Sequence, residues 1–243
     1  MAAELKGRPW PSGRLPWVME QSWLNLLFAH WPLPPQALRP LIPKSLPLDT
    51  FEGEAWIAVV PFRMSGIRLR GLPQIPGTSR FAELNVRTYV TLNGKPGVYF
   101  FSLDAAHSLA VWMARTFCRL PYHLAEMSVE TDGEERVSYY SRRVKEEGFR
   151  FEGTYRPISE PYLAEAGTLE HWLTERYCLY TLDGGGGPLR CDIDHEPWPL
   201  QRAEATVDRN TMTSAQGIRL PDRPPLLHYA ARLDVRIWPL VRA

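Results

Sequence analysis

A mainly β fold with a few peripheral helices is predicted by three features of this sequence. In Glu83-Leu84-Asn85-Val86-Arg87-Thr88-Tyr89-Val90 polar and apolar residues alternate, so an extended chain puts Glu83, Asn85, Arg87 and Tyr89 on one face and Leu84, Val86, Thr88 and Val90 on the other. Asn93-Gly94 supplies the two positive-φ positions of a tight hairpin, and Gly97 to Asp104 returns as a strand rich in aromatic β-formers. Proline, 23 of 243 residues, falls at the ends of many short apolar segments, which is how a chain of short strands is punctuated.

Taken in order, residues 1–16 are polar and rich in proline and glycine and read as a flexible N-terminal arm. Residues 17–243 read as a single domain, a size that one β-rich core supports. Trp17 to Trp31 reads as one or two strands, Pro34 to Pro43 as a short proline-started helix, and Ala55 to Arg63 as a buried strand. Ser65 to Arg80 lacks periodicity and is expected to be a long loop, either a lid over a site or a plain connection. After the hairpin, Ala105 to Phe117 carries Leu109, Trp112, Met113 and Phe117 at helical spacing, and Pro121 requires the helix to end before Tyr122 and His123. A β-meander follows from Met127 to Arg156. Thr168 then caps a short helix, the strands Arg176 to Leu182 and Leu189 to Glu196 flank a glycine tip, Asp208 to Gln216 reads as a weak helix, and Leu226 to Val241 closes the chain.

Composition excludes several functions. Lys+Arg 28 against Asp+Glu 27 gives net charge +1, which argues against nucleic acid as a partner and against electrostatic attachment to a membrane. The longest early apolar run, Trp23 to Trp31, is too short to span a bilayer, so a soluble, cytoplasmic protein is expected. Cys118, Cys178 and Cys191 lack metal spacing and read as buried thiols. The acidic and histidine cluster of residues 191–196 is split between two strand faces, so no metal is expected, and no dinucleotide or phosphate motif implies a cofactor. The four lysines, Lys6, Lys44, Lys95 and Lys145, all lie in polar or turn settings unsuited to a neutral amine nucleophile.

Two alternatives fit the polar face of the Glu83 strand: exposure to water, as on a half-buried sheet, or the lining of a closed barrel. A resemblance decides between them. Phe28-Ala29-His30-Trp31-Pro32, Ala55-Trp56 to Met64, Glu83 to Tyr89, Phe101-Ser102-Leu103-Asp104-Ala105, Leu120-Pro121-Tyr122-His123, Leu173 to Tyr177, Pro197-Trp198-Pro199-Leu200 and Leu233-Asp234-Val235 together resemble the YqjF-like family of the acetoacetate decarboxylase-like superfamily. The resemblance implies a closed, conical antiparallel β-barrel around a small-molecule cavity, with helices outside. It also implies that Glu83 matches a cavity glutamate of the decarboxylase, while Pro121-Tyr122-His123 stands where the decarboxylase has its Schiff-base lysine.

The expected function is therefore binding of a small organic acid or aromatic molecule without imine chemistry. Arg87, Asn85 and Tyr89 are the polar contacts, and Tyr99, Phe101 and Trp112 the apolar wall. The alternative is a lysine-independent enzyme, a lyase or isomerase-like acid/base catalyst using Glu83, His123 and Tyr122 on a carbonyl or enol. A small molecule is the expected partner, and a homo-oligomer is compatible with it.

Overall fold

The structure, a computed structural model, describes residues 8–11, 15–74, 80–108, 111, 119–132 and 135–243. Most of the expected helix between Ala105 and Phe117, with Trp112 and Cys118, lies outside the described residues, as do residues 75–79 of the expected 65–80 loop.

Eleven strands form one sheet: β1 (Met19–Leu33), β2 (Ala55–Leu69), β3 (Arg80–Leu92), β4 (Lys95–Ala105), β5 (Tyr122–Thr131), β6 (Val137–Arg143), β7 (Arg150–Pro157), β8 (Cys178–Leu182), β9 (Pro188–Asp194), β10 (Gln201–Asn210) and β11 (Leu226–Arg242). Helix is sparse: α1 (Pro35–Leu38) runs into a 3-10 turn, α2 (Leu169–Thr174) precedes β8, and a second 3-10 turn spans Met212–Gln216. Thr168 caps α2 through its hydroxyl, as its sequence position suggests.

The sheet closes on itself. Pairings run β1–β2–β3–β4, cross to β8, continue through β9 and β11, and return to β1, tracing a ring; β5, β6, β7 and β10 form a second arc from the edge of β4 back to β11. Pairing is antiparallel except where β4 meets β5 and β8, both short and parallel. That departure from an all-antiparallel barrel leaves β4 forked, with β8 beside Val98 and Tyr99 and β5 beside Leu103 to Ala105.

Because β1, β2 and β3 belong to both circuits, both of their faces are buried. Leu26, Phe28, Ala58, Val60, Phe62, Tyr89, Ile193 and Trp198 pack in an inner core. Leu27, Ala29, Ile57, Val59, Leu84 and Val86 pack outward with Leu38 of α1 and with Val137, Tyr139, Phe151 and Tyr155 of the second arc. Side chains of that arc also bond the ring's backbone: the Tyr139 hydroxyl donates to the Glu83 carbonyl at 2.7 Å and the Tyr155 hydroxyl to the Asn25 carbonyl at 2.8 Å.

Three local features differ from the expectations. Strand β2 continues to Leu69, so 65–69 is strand; Gly66 at φ +67 marks the register shift that lets it bend. Tyr122 and His123 open β5, because their backbone pairs with Leu103 and Asp104. Strand β10 extends to Asn210, which shortens the expected 208–216 helix to a 3-10 turn. From the expected arm, Arg8 lies 4.7 Å over the Trp238 ring and its guanidinium 3.9 Å from Asp192, so Arg8 docks on the sheet. Cys178 and Cys191 are buried.

Candidate functional site

Register assigns the inner face rung by rung. Glu83 stands between Phe62 and Ala105, Asn85 between Val60 and Leu103, Arg87 between Ala58 and Phe100, and β1 extends the last rung with His30. The alternation of β3 therefore sends Glu83, Asn85, Arg87 and Tyr89 into the ring, and all four are buried.

Arg87 is 8 % exposed, and no carboxylate lies within ion-pair distance of it among the described residues. Its guanidinium sits 5.2 Å from the Phe28 ring and 5.8 Å from the Tyr89 ring, while its Nε has no hydrogen-bond partner. The Tyr89 hydroxyl meets His30 Nε2 at 2.7 Å. Burial holds His30 well below the usual imidazole range, with Arg87 adding to the effect, and burial lowers His195 too. Both are neutral at pH 7, so Arg87 carries the charge here. Donors without partners cluster on the same core: the indole Nε1 atoms of Trp23, Trp56 and Trp198. Trp198 packs edge-on against Phe28 at 4.8 Å and stacks on Trp23 at 5.8 Å.

Arg176 differs from Arg87. It bonds Asp49 at 2.7 Å and the Trp172 carbonyl at 2.6 Å, and it lies 4.3 Å over the Trp172 ring and 5.0 Å over Tyr89. This paired arginine fixes α2 and Trp172, which packs 4.9 Å from Tyr89, at one end of the ring.

At the other end Glu83 accepts a hydrogen bond of 2.9 Å from the Tyr122 hydroxyl. Burial pushes its carboxyl up to about 8; the Tyr122 bond pulls the other way, and the negative charge of Asp104 adds to the rise. Glu83 is thus a neutral acid at pH 7, with no arginine or lysine paired to it among the described residues.

The structure brings Glu83, Asn85, Arg87, Tyr89 and Tyr122 to this face and separates three other expected residues from it. His123 points to the outer side, level with Asp104, where its Nδ1 lies 3.4 Å from Glu146. Tyr99 and Phe101 pack on the outer core: the two-residue turn, pairing Leu92 with Lys95, sets Tyr99 opposite outward-facing Thr88, and Phe101 is the extra residue of β4 between its pairings with Val86 and Arg87. Phe100 and Leu103 take the inner places. Tyr99 instead lines a separate cleft of about 390 Å³ at the fork of β4, with Phe100, Arg119, Pro121, Thr181 and Leu182. Trp112 lies outside the described residues. His30, Trp56 and Trp198 were not singled out by sequence reasoning; the alternation Leu26, Phe28, His30, with the same period as β3, was the available signal.

Among the described residues no lysine is buried, and no cluster of three or more histidine, cysteine, aspartate or glutamate side chains is arranged to hold a metal. No described helix is long and apolar enough to cross a membrane.

Comparison with known proteins agrees with this architecture. The acetoacetate decarboxylase-like enzyme from Sphingomonas wittichii RW1 superposes with a TM-score of 0.62 at 13% identity, covering 94% of each chain. The enduracididine biosynthesis enzyme MppR, solved in complex with pyruvate, gives 0.62 at 11% identity over 94% of this chain and 91% of its own. At these identities the likeness is one of fold. In sequence, "Uncharacterized protein YqjF" of Bacillus subtilis is 52% identical over 224 residues, 92% of each chain. Residues 20–234 match the DUF2071 family, "Uncharacterized conserved protein", and the chain is a member of that family.

Proposed function

We propose that the chain binds a small organic acid inside the ring, with its carboxylate on Arg87, and does so without forming an imine. One observation carries the reading: Arg87 is a buried guanidinium without a carboxylate partner among the described residues. Such a charge is costly to bury, and a ligand carboxylate is its natural complement. The unpartnered indole donors on the same core add to a surface suited to acceptors. Imine chemistry has no support from the described lysines, since Lys44 and Lys145 are exposed and Lys95 lies over Trp10 near the surface.

The test is thermal shift followed by calorimetry with acetate, pyruvate and benzoate, pyruvate being included because MppR was solved with it. A ligand selective for the native state raises stability by RT ln(1 + [L]/Kd). A concentration-dependent rise for at least one acid, absent in Arg87→Met, is the expected outcome. A flat response to all three sinks the reading. Acetoacetate with borohydride should leave the mass of the protein unchanged.

A second reading, proton transfer on a carbonyl or enol ligand, is favoured by the Glu83–Tyr122 pair. A buried acid titrating at about 8 can give and take a proton near neutrality. Exchange of the methyl protons of pyruvate in D2O, faster with the native protein than with Glu83→Gln, tests it.

A further inference from the structure

Arg87 and Glu83 lie four residues apart on one strand, so two same-face steps, roughly 13 Å between their Cα atoms, separate them. Their side chains do not close that gap. The Arg87 guanidinium stays at its own level, against Phe28 and Tyr89, and the Glu83 carboxyl is turned to Tyr122. Between them the rung of Asn85 is flanked by Val60 and Leu103, both apolar. The inner face therefore reads, along one line, as a cation, a buried amide walled by apolar side chains, and a neutral acid.

We infer that the site takes an elongated, planar carboxylic acid, an aryl carboxylate bearing a carbonyl oxygen at its far end, with the carboxylate on Arg87 and the distant oxygen on the Glu83–Tyr122 pair. The inference rests on the acid-binding reading above and adds a substrate class to it. A three-carbon acid seated on Arg87 ends at the Asn85 rung and leaves Glu83 untouched. A ring between the two end groups passes Asn85 on the rung walled by Val60 and Leu103 and lies among Phe28, Phe62 and Trp198, where offset and edge-on ring contacts are favourable. The far end requires a donor from the protein, and Glu83 provides one. The Tyr122 hydroxyl donates to Glu83 Oε2, so the proton that burial retains on the carboxyl is left for Oε1 to offer. A second carboxylate at that end would meet no cation, which excludes dicarboxylates.

The experiment is calorimetric titration at pH 6.5 with benzoate, 4-acetylbenzoate, 3-acetylbenzoate and terephthalate, on the native protein, Glu83→Ala and Tyr122→Phe. The native protein should bind 4-acetylbenzoate about tenfold more tightly than benzoate, the worth of one hydrogen bond to a buried donor, and should prefer it to the 3-acetyl isomer and to terephthalate. In Glu83→Ala the ratio of the two affinities should fall to about one. Using a ratio removes general effects of the substitution, and Tyr122→Phe, which keeps the ring, should lower it part of the way if Glu83→Ala does not fold. A native ratio near one, a preference for terephthalate, or a ratio unchanged in both variants overturns the inference. If short acids bind through Arg87 without any preference for length, this inference falls and the acid-binding reading stands. If none of these acids nor acetate or pyruvate binds, both fall.

Discussion

Two buried arginines, one on each side of the ring wall, show how differently a sheet can treat the same side chain. Arg143 of β6, in the outer core, has a side chain 2% exposed and reaches both oxygens of the fully buried Asp104, at 2.9 and 3.1 Å, with Glu146 at 3.1 Å. Arg87 of β3, in the inner core, has aromatic faces and no acid among the described residues. Each of two carboxyls is likewise distinct: burial raises both, but Asp104, facing Arg143, titrates at about 6, whereas Glu83, bonded to the Tyr122 hydroxyl, is pushed to about 8. Matched charge on the outside holds two layers together. Unmatched charge on the inside is stability forgone, and a site for an anion is the reason we assign to it.

The largest effect should come from breaking the matched pair. Arg143→Ala leaves Asp104 buried without its cation and should cost about 3–5 kcal/mol at pH 7.5, read by urea unfolding. A loss under 1 kcal/mol would show that the outer pair is not structural. The unmatched arginine should behave in the opposite way. Arg87→Met keeps the apolar stem and removes a buried charge, so stability should hold or rise, while benzoate binding weakens by about 3 kcal/mol, roughly a hundredfold in Kd. A strongly destabilised Arg87→Met would make Arg87 a structural residue and erase the contrast.

Glu83 sharpens the comparison through pH. Its folded value, about 8, lies above the ordinary 4.5, so the native state keeps a proton that the unfolded chain has released; stability is full below about 4.5 and falls as pH rises toward 8. Asp104 acts in the same direction but is finished near 6. The buried histidines His30, His195 and His228, lowered from 6.5, act the other way, and their contribution is complete above 6.5. Between pH 6.5 and 8 the slope therefore belongs mainly to Glu83, and 1.5 units at 1.36 kcal/mol each predicts a loss of about 2 kcal/mol. Glu83→Gln should flatten that limb. Equal slopes in the two proteins would mean that Glu83 is ionised in the fold.

The inner half of this contrast was legible in the sequence; the Arg143–Asp104 pair of the outer half was not. The alternation of β3 identified both faces, and Asn93 and Gly94 do adopt φ 53 and 71, as a two-residue hairpin requires. Family likeness placed the polar face inward, which alternation alone left open, because a polar face toward water has the same period. What escaped was register. The two-residue turn pairs Leu92 with Lys95, which carried straight through sets Phe100 against Arg87, Tyr99 against Thr88 and Val98 against Tyr89; beyond Arg87 one bulged residue shifts the pairing, so that Leu103 and Ala105 stand against Asn85 and Glu83 where Ser102 and Asp104 would have stood. No composition signal marks that bulge. A related shift occurs on β1, where Asn25 at φ 51 accompanies the offset against β2 and turns Leu26, Phe28 and His30 inward.

His123 provides the smallest effect and the finest check on which side of the wall is chemical. Its sequence neighbour Tyr122 faces inward, level with Leu103, and successive residues of a strand point to opposite faces, so the Tyr122 hydroxyl reaches Glu83 while the His123 ring is turned to the outer side. There its partner is Glu146 at 3.4 Å, with the two side chains 31% and 46% exposed. An ion pair so open to water contributes little, because solvent screens it and two mobile side chains must be held. His123→Ala should therefore change stability by less than about 1 kcal/mol and leave the calorimetric affinity for benzoate within about twofold. Should that substitution instead abolish binding while Arg143→Ala leaves it intact, His123 would belong to the inner site, and the assignment of faces from β5 onward would have to be reversed.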